Sequence, residues 1–218
     1  GSLARISVLS FGRGKGLGGG GGGALLAFGR ERSSALHALT PDSASSAGWR
    51  GLVATATQWG LGRPSVYSLP AALPFLRLGE TVFRPATEPE PISRAAAAIA
   101  LRALGTEGAD ATNRAHRAAG LRSGLVDGGV LQAISPISGS EPGFLRFPVV
   151  DRRGTRGPEP RLGILRGYDP VILGERSLRD ALLPGEAPGP GARELYERLL
   201  TLPTHHLVTK ADQARLRA

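Results

Sequence analysis

An α/β fold is predicted, and three features of the chain predict it. Short apolar runs rich in β-branched residues stand near both ends, an alanine-rich stretch in the middle repeats its apolar residues at helical spacing, and glycine, proline and serine clusters separate these segments. The 218 residues suffice for one large domain or two small ones.

The elements follow in order. Ile6 to Phe11 and Ala24 to Phe28 are short apolar runs that predict two strands flanking a glycine-rich connection. Arg30 to Arg50 is polar and serine-rich and predicts a loop, and Gly51 to Leu61 predicts a helix. Prolines at 64, 70, 74 and 85 predict an extended, irregular crossing segment, since the residue before each proline is pushed out of helical geometry. The stretch "PISRAAAAIALRAL" predicts a helix that places Ile92, Ala96, Ile99 and Ala103 on one face, and a second helix is expected from Asp110 to Leu121. Three strands are then expected within "VLQAIS", "GFLRFPVV" and "RLGILRG". A loop, "DALLPGEAPGPG", leads to a helix over "ARELYERLLTL". A last helix should open at Thr209 and Asp212, spaced as a capping box.

Composition narrows the function classes. The chain is 41% hydrophobic and 21% charged, an ordinary folded composition. No apolar run reaches membrane-spanning length; the longest candidate, Gly51 to Gly62, is broken by Thr55, Thr57 and Gln58. There is no cysteine, so no disulfide or thiolate metal site is available, and the four histidines (His37, His116, His205 and His206) form no spaced ligand set with nearby carboxylates. A cytoplasmic protein without a metal or a membrane partner is expected. The net charge of +9 invites a polyanion partner, but 25 of the 27 basic residues are arginines scattered along the chain, and no nucleic-acid-binding signature accompanies them. Nucleic acid is therefore not an expected partner. Methionine is absent and the first strand-like run begins at once, so the chain is expected to be the later part of a larger protein.

From Gly12 to Gly23 nine of twelve residues are glycine, and Lys15 sits among them. Three readings compete. A linker would separate regions of different character, whereas this run lies between two apolar strands. A nucleotide loop formally fits Gly14, Gly16 and Gly19, but a strand follows where a pyrophosphate-binding helix should stand, and Lys15 is followed by Gly16 rather than by the Ser or Thr of a phosphate loop. The third reading makes the glycines a clearing around the lysine. Only Lys15 and Lys210 are lysines in an arginine-saturated chain. Arginine neither loses its proton nor forms an imine; a lysine amine does both once its environment lowers its pKa.

The stretch "SFGRGKGLGGGGGGALL" resembles the active-site segment of the DegT/DnrJ/EryC1/StrS sugar aminotransferases, fold-type I enzymes dependent on pyridoxal 5'-phosphate. Ser10, Phe11, Lys15, Gly22, Gly23 and Ala24 carry the match. The tail "RLLTLPTHHLVTKADQARLRA" resembles that family's closing segment through Leu202, Pro203 and His205, and "GFLRFPVV" and "LGILRGYDP" stand where the family has small-domain strands. The resemblance implies the C-terminal part of such an enzyme: residues 1–85 as the end of the large-domain sheet and 86–218 as a small α+β domain. It implies that Lys15 carries pyridoxal 5'-phosphate as an imine and acts as general base and acid, and that the Ser10 hydroxyl binds the cofactor phosphate. It further implies an amino acid donor, a keto-sugar acceptor linked to a nucleotide, and a homodimer when whole. Arg146 is the candidate for a substrate carboxylate, with a solvated strand arginine as the competing reading. His205 is expected to be structural and His206 to lie at the surface.

Two departures stand beside the match. "GRPSVYSLPAALPFLRLGE" occupies the region where the family often has an asparagine segment that reaches the partner's phosphate site. The aspartate that pairs with the pyridinium nitrogen and the residue stacked on the ring belong to the family's N-terminal part, so these 218 residues alone are expected to show little or no transaminase activity. The rival function is a binding or scaffold protein that keeps the fold without catalysis.

Overall fold

The computed structural model describes residues 6–12, 14–18, 20–27, 46–61, 90–125, 129–167 and 189–217, with a few isolated positions between them. The residues gather into two compact units, Gly1–Gly60 with Ala86–Ala111, and Leu61–Pro85 with Thr112–Ala218.

In the first unit, β1 (Ile6–Ser10) and β2 (Gly23–Ala27) form an antiparallel hairpin in which Ile6 faces Ala27 and Ser10 faces Gly23. Pairing continues one step further, because the Phe11 N–H donates to the Gly22 carbonyl at 2.9 Å and the Gly21 N–H to the Phe11 carbonyl at 3.3 Å. The two expected strands are thus present, and the glycine-rich run is the connection of a hairpin. Helix α1 (Trp49–Leu61) follows Gly48, whose φ of +77° suits the turn that precedes it.

Helix α2 (Arg94–Ser123) is a single helix of 30 residues where two were expected. The Ser93 hydroxyl caps it by accepting the Ala96 N–H at 3.2 Å. Gly105 and Gly108 lie between the two expected helices, yet each keeps its backbone N–H, so the helix runs through them at about 1 kcal/mol per glycine relative to alanine. Alanine-rich turns on both sides offset that cost.

The second unit is built on a four-stranded antiparallel sheet in the order β3-β4-β6-β5: β3 (Leu131–Ala133), β4 (Arg146–Asp151), β6 (Leu199–Pro203) and β5 (Leu165–Arg166). The three expected strands are all there, in shorter form. β6 is the correction: the helix expected over "ARELYERLLTL" stops early, as α3 (Pro190–Arg198), and "LLTLP" becomes an inner strand. Alternation decides this. Leu200 and Leu202 are buried between the less buried Leu199 and Thr201, a period of two that a helix cannot satisfy. Opposite them on β4, Phe147, Val149 and Asp151 point to the same interior.

That interior holds the core of the unit: Phe147, Val149, Leu200, Leu202, Leu131 and Ile164 around the sheet, with Ala118 and Leu121 from the C-terminal half of α2. Val208 and Leu216 close it from the C-terminal segment, where α4 (Lys210–Arg217) is fixed by the expected capping box. The Thr209 hydroxyl accepts the Asp212 N–H at 3.1 Å and the Asp212 carboxylate accepts the Thr209 N–H at 3.0 Å. The expectations for Phe28, for most of the 30–50 loop, for the crossing segment at 63–86 and for most of the "DALLPGEAPGPG" loop lie outside the described residues.

Candidate active site on the glycine hairpin

Lys15 sits at the outer end of the β1–β2 connection and its side chain is exposed. Its N–H donates to the Gly12 carbonyl at 3.3 Å, closing a tight turn in which Gly14 takes a φ of +72°. Ser10 is the last residue of β1, also exposed, with its Oγ 3.5 Å from the Gly12 N–H. The hairpin therefore brings Ser10 and Lys15 into one loop.

The glycines divide by what surrounds them. A Cβ placed at Gly14, Gly18 or Gly21 would meet no atom within 4 Å, so the space near the lysine is open. The return side is tight. A Cβ at Gly20 would stand 2.9 Å from the Thr55 hydroxyl and 3.1 Å from the end of Ile99, and one at Gly22 would stand 2.9 Å from Ile92. Both residues also have positive φ, +71° and +76°. The run therefore combines an open clearing with a strap pressed against α1, α2 and the segment before α2. Gly20→Ala and Gly22→Ala are each expected to destabilise by about 1–2 kcal/mol, the cost of the left-handed backbone with a side chain. Gly18→Ala should stay within about 0.5 kcal/mol of the parent. Thermal melts of the three variants read the difference, and equal effects at all three positions would refute the division.

An open site beside an exposed amine, with a hydroxyl in the same loop, fits a phosphorylated aldehyde cofactor. The amine would supply the nucleophile and the hydroxyl a phosphate donor, and the absent side chains leave room for a flat ring. Sequence reasoning singled out Lys15 through the rarity of lysine and Ser10 through the family resemblance.

Arg146 lies in the second unit, at the start of β4. Its Nε donates to the Thr201 hydroxyl at 2.7 Å, and its terminal nitrogen to the Thr201 carbonyl at 2.7 Å and to the Gly163 carbonyl. The side chain ties β4, β6 and the turn before β5 together. It also lines an open cleft of about 580 Å³ whose other walls include Ile134, Pro136, Ile137, Phe144 and Pro148. Thr201 was missed in the sequence because it was assigned to a helix; its place between two buried leucines was the available signal.

His205 is partly buried, and its imidazole is held down to about pKa 4 from 6.5, first by desolvation, then by His206, Arg146 and Arg117, with Asp212 opposing. The folded chain thus keeps it neutral where the unfolded chain binds a proton. Stability is expected to fall as pH drops from 6.5 towards about 4, by on the order of 1 kcal/mol after solvent screening, and to level off below that window. Denaturant midpoints measured for the parent and for His205→Gln across this range test the point: the variant should lose that part of the acid dependence. His206 is exposed, as expected.

Among the described residues no group of histidine, aspartate and glutamate is placed to hold a metal ion, and no helix is long and apolar enough to cross a membrane.

With this geometry, the class of fold is that of the DegT/DnrJ/EryC1/StrS aminotransferases, seen at the level of structure. The structure matches an aminotransferase of that group from Brucella abortus with a TM-score of 0.62 at 17% identity, over 98% of this chain and 49% of that one. It matches the aminotransferase TlmJ from Streptoalloteichus hindustanus with a TM-score of 0.62 at 20% identity, over 100% of this chain and 51% of that one. DesV of S. venezuelae is similar with a TM-score of 0.59 at 19% identity, over 97% and 49%. The chain thus spans about half the length of the solved structures it matches. No family model and no curated protein matches the sequence.

Proposed function

We propose that this chain is the lysine-bearing part of a pyridoxal-phosphate-dependent aminotransferase that moves an amino group from an amino acid to a nucleotide-linked keto-sugar. One observation carries the reading: the rare lysine stands at the open end of a hairpin in a chain whose whole length follows an aminotransferase fold. When bound, the cofactor supplies an electron sink for the carbon that exchanges its amino group. Lys15 would hold it through Nζ and would take and return the proton at the substrate carbon. The Ser10 hydroxyl donates to the cofactor phosphate. The division into residues 1–85 and 86–218, a cytoplasmic setting and a homodimer belong to the same reading.

Arg146 enters as the residue that binds the substrate carboxylate at the edge of its cleft. A guanidinium already shared between Thr201 and Gly163 does so only by keeping those bonds or exchanging them. Arg146→Ala is therefore expected to lower stability by about 1–3 kcal/mol, since it strands half-buried acceptors, in addition to raising the donor KM. A variant with unchanged KM and lowered stability would reduce the residue to its structural role.

The direct test is titration of the purified chain, and of any longer protein that contains it, with pyridoxal 5'-phosphate, followed by borohydride reduction and peptide mapping. The expected result is an imine absorbance band and a modified peptide at Lys15, with Lys210→Ala behaving as the parent. Modification spread equally over Lys15 and Lys210 would sink the proposal.

A further inference from the structure

At one end of the four-stranded sheet, three strand termini converge on arginines. β4 ends at Asp151 and runs into Arg152 and Arg153, β6 starts directly after Arg198, and β5 ends at Arg166. The register makes them neighbours, because Val150 faces Leu199 and Arg166 faces Leu200. Arg156 follows on the turn that leaves β4.

These side chains are held by neutral groups. The Arg152 Nε donates to the Gln132 side-chain carbonyl at 2.6 Å, the Arg166 guanidinium to the Glu197 backbone carbonyl at 3.2 Å, and the Arg198 guanidinium to the Arg152 carbonyl at 3.5 Å. Such bonds fix position and do not cancel the charge of Arg152 or Arg166. The carboxylate at the end of β4, Asp151, is 1% exposed, and its oxygens are occupied by the backbone. It accepts the N–H groups of Arg153 at 3.1 Å, Gly154 at 2.9 Å and Arg156 at 2.6 Å. The buried carboxylate thus shapes the turn that carries Arg153, which is exposed, and Arg156, which is half-buried. Three further carboxylates stand nearby. Glu194 pairs with Arg198 at 3.5 Å, with both side chains largely in water; Glu197 lies on α3; Glu159 pairs with Ile164, two residues back from Arg166. Among the described residues, the five arginines exceed these four carboxylates by one charge.

We propose that this arginine rim binds an oligophosphate, a chain of two or more phosphates either free or carried by a nucleoside. Guanidinium forks match phosphate oxygens in pairs, and a fixed fork loses less side-chain entropy on binding than a free one. Size selects the ligand. Four strands about 4.8 Å apart give a rim roughly 15 Å across, enough for a short phosphate chain, while an extended polymer needs a longer stripe of cations. Repulsion among the guanidiniums in the free protein is relieved on binding, so the affinity should fall with salt.

The test uses the full chain and sodium tripolyphosphate as the probe, with binding followed by calorimetry at low and at moderate salt. Arg153→Gln and Arg156→Gln should each weaken binding by roughly two- to fivefold, and together by more. Arg102→Gln, an exposed arginine on α2, removes the same charge and should leave binding unchanged. Circular dichroism checks that the variants fold. Equal affinity for a nucleoside triphosphate shows that the phosphate chain alone is read, and tighter binding that the nucleoside adds contacts; both support the rim. No binding at low salt, or an equal loss in Arg102→Gln, would overturn it, and so would a nucleic acid duplex held more tightly than tripolyphosphate through the same arginines.

Discussion

Replacement of Lys15 by arginine is expected to abolish cofactor attachment and to lower transamination by about 10²–10⁴-fold in any protein that contains this chain. The substitution keeps the positive charge and nearly the length of the side chain, and removes only what a guanidinium lacks, a nucleophilic amine that gives up its proton. It should cost little in stability. Lys15 is exposed, and the turn around it is closed by its backbone N–H, which arginine retains. A surface change of this kind stays within about 0.5 kcal/mol. Loss of the absorbance band with an unchanged melting curve therefore separates chemistry from folding. Lys15→Ala should give the same spectrum. Retention of the band in both variants would move the cofactor to Lys210 or to no lysine at all.

The hairpin was legible in the sequence because both of its strands are short apolar runs and its connection is nearly all glycine. The distinction within the glycines was not. That Gly20 and Gly22 are pressed against Thr55, Ile99 and Ile92, while Gly14 and Gly18 are open, depends on residues far away in the chain. The capping box at Thr209 and Asp212 was legible since it is a local pattern four residues long. Two helices were expected where α2 runs unbroken through Gly105 and Gly108, since glycine weakens a helix and only proline removes its hydrogen bond. β6 was hidden behind a helical pattern over Ala192, Leu195, Tyr196 and Leu199 that persists for only one more residue than α3 itself. What ends the helix is tertiary, the pairing of Leu199–Pro203 between β4 and β5. In the candidate site, Lys15 was singled out by the rarity of lysine and Ser10 by the family resemblance. Asp151 was passed over, although an aspartate at the end of a buried strand followed by "RRGTRG" is a signal for a turn fixed by its own carboxylate.

The two units differ in how much apolar surface they bury on their own. The core cluster lies wholly in the second unit. In the first, Phe11, Ala96 and Ala100 are the buried apolar residues among those described, whereas Val8 is 74% exposed and Trp49 65%. Resistance to unfolding should therefore be concentrated in the sheet unit, since stability follows buried apolar area. The glycine hairpin belongs to the less stable part.

That asymmetry gives Phe147→Ala its expected size. The ring is fully buried, faces Leu202 across β6, lies 6.2 Å from the Phe144 ring and sits 5.5 Å below the Arg122 guanidinium. Its removal takes away the largest fully buried side chain of the sheet and leaves a cavity that strands on either side cannot collapse to fill, at a cost of about 3–5 kcal/mol. Phe147→Leu keeps most of the volume and loses the cation–π contact, so it should cost about 1–2 kcal/mol. Ile137, 84% exposed on the β3–β4 connection, serves as the comparison, and Ile137→Ala should lie within about 0.5 kcal/mol of the parent. Urea unfolding followed by far-ultraviolet circular dichroism reads all three. If Phe147→Ala cost no more than Ile137→Ala, the ring would not be holding the sheet together, and the core assigned to β4 and β6 would have to be sought elsewhere.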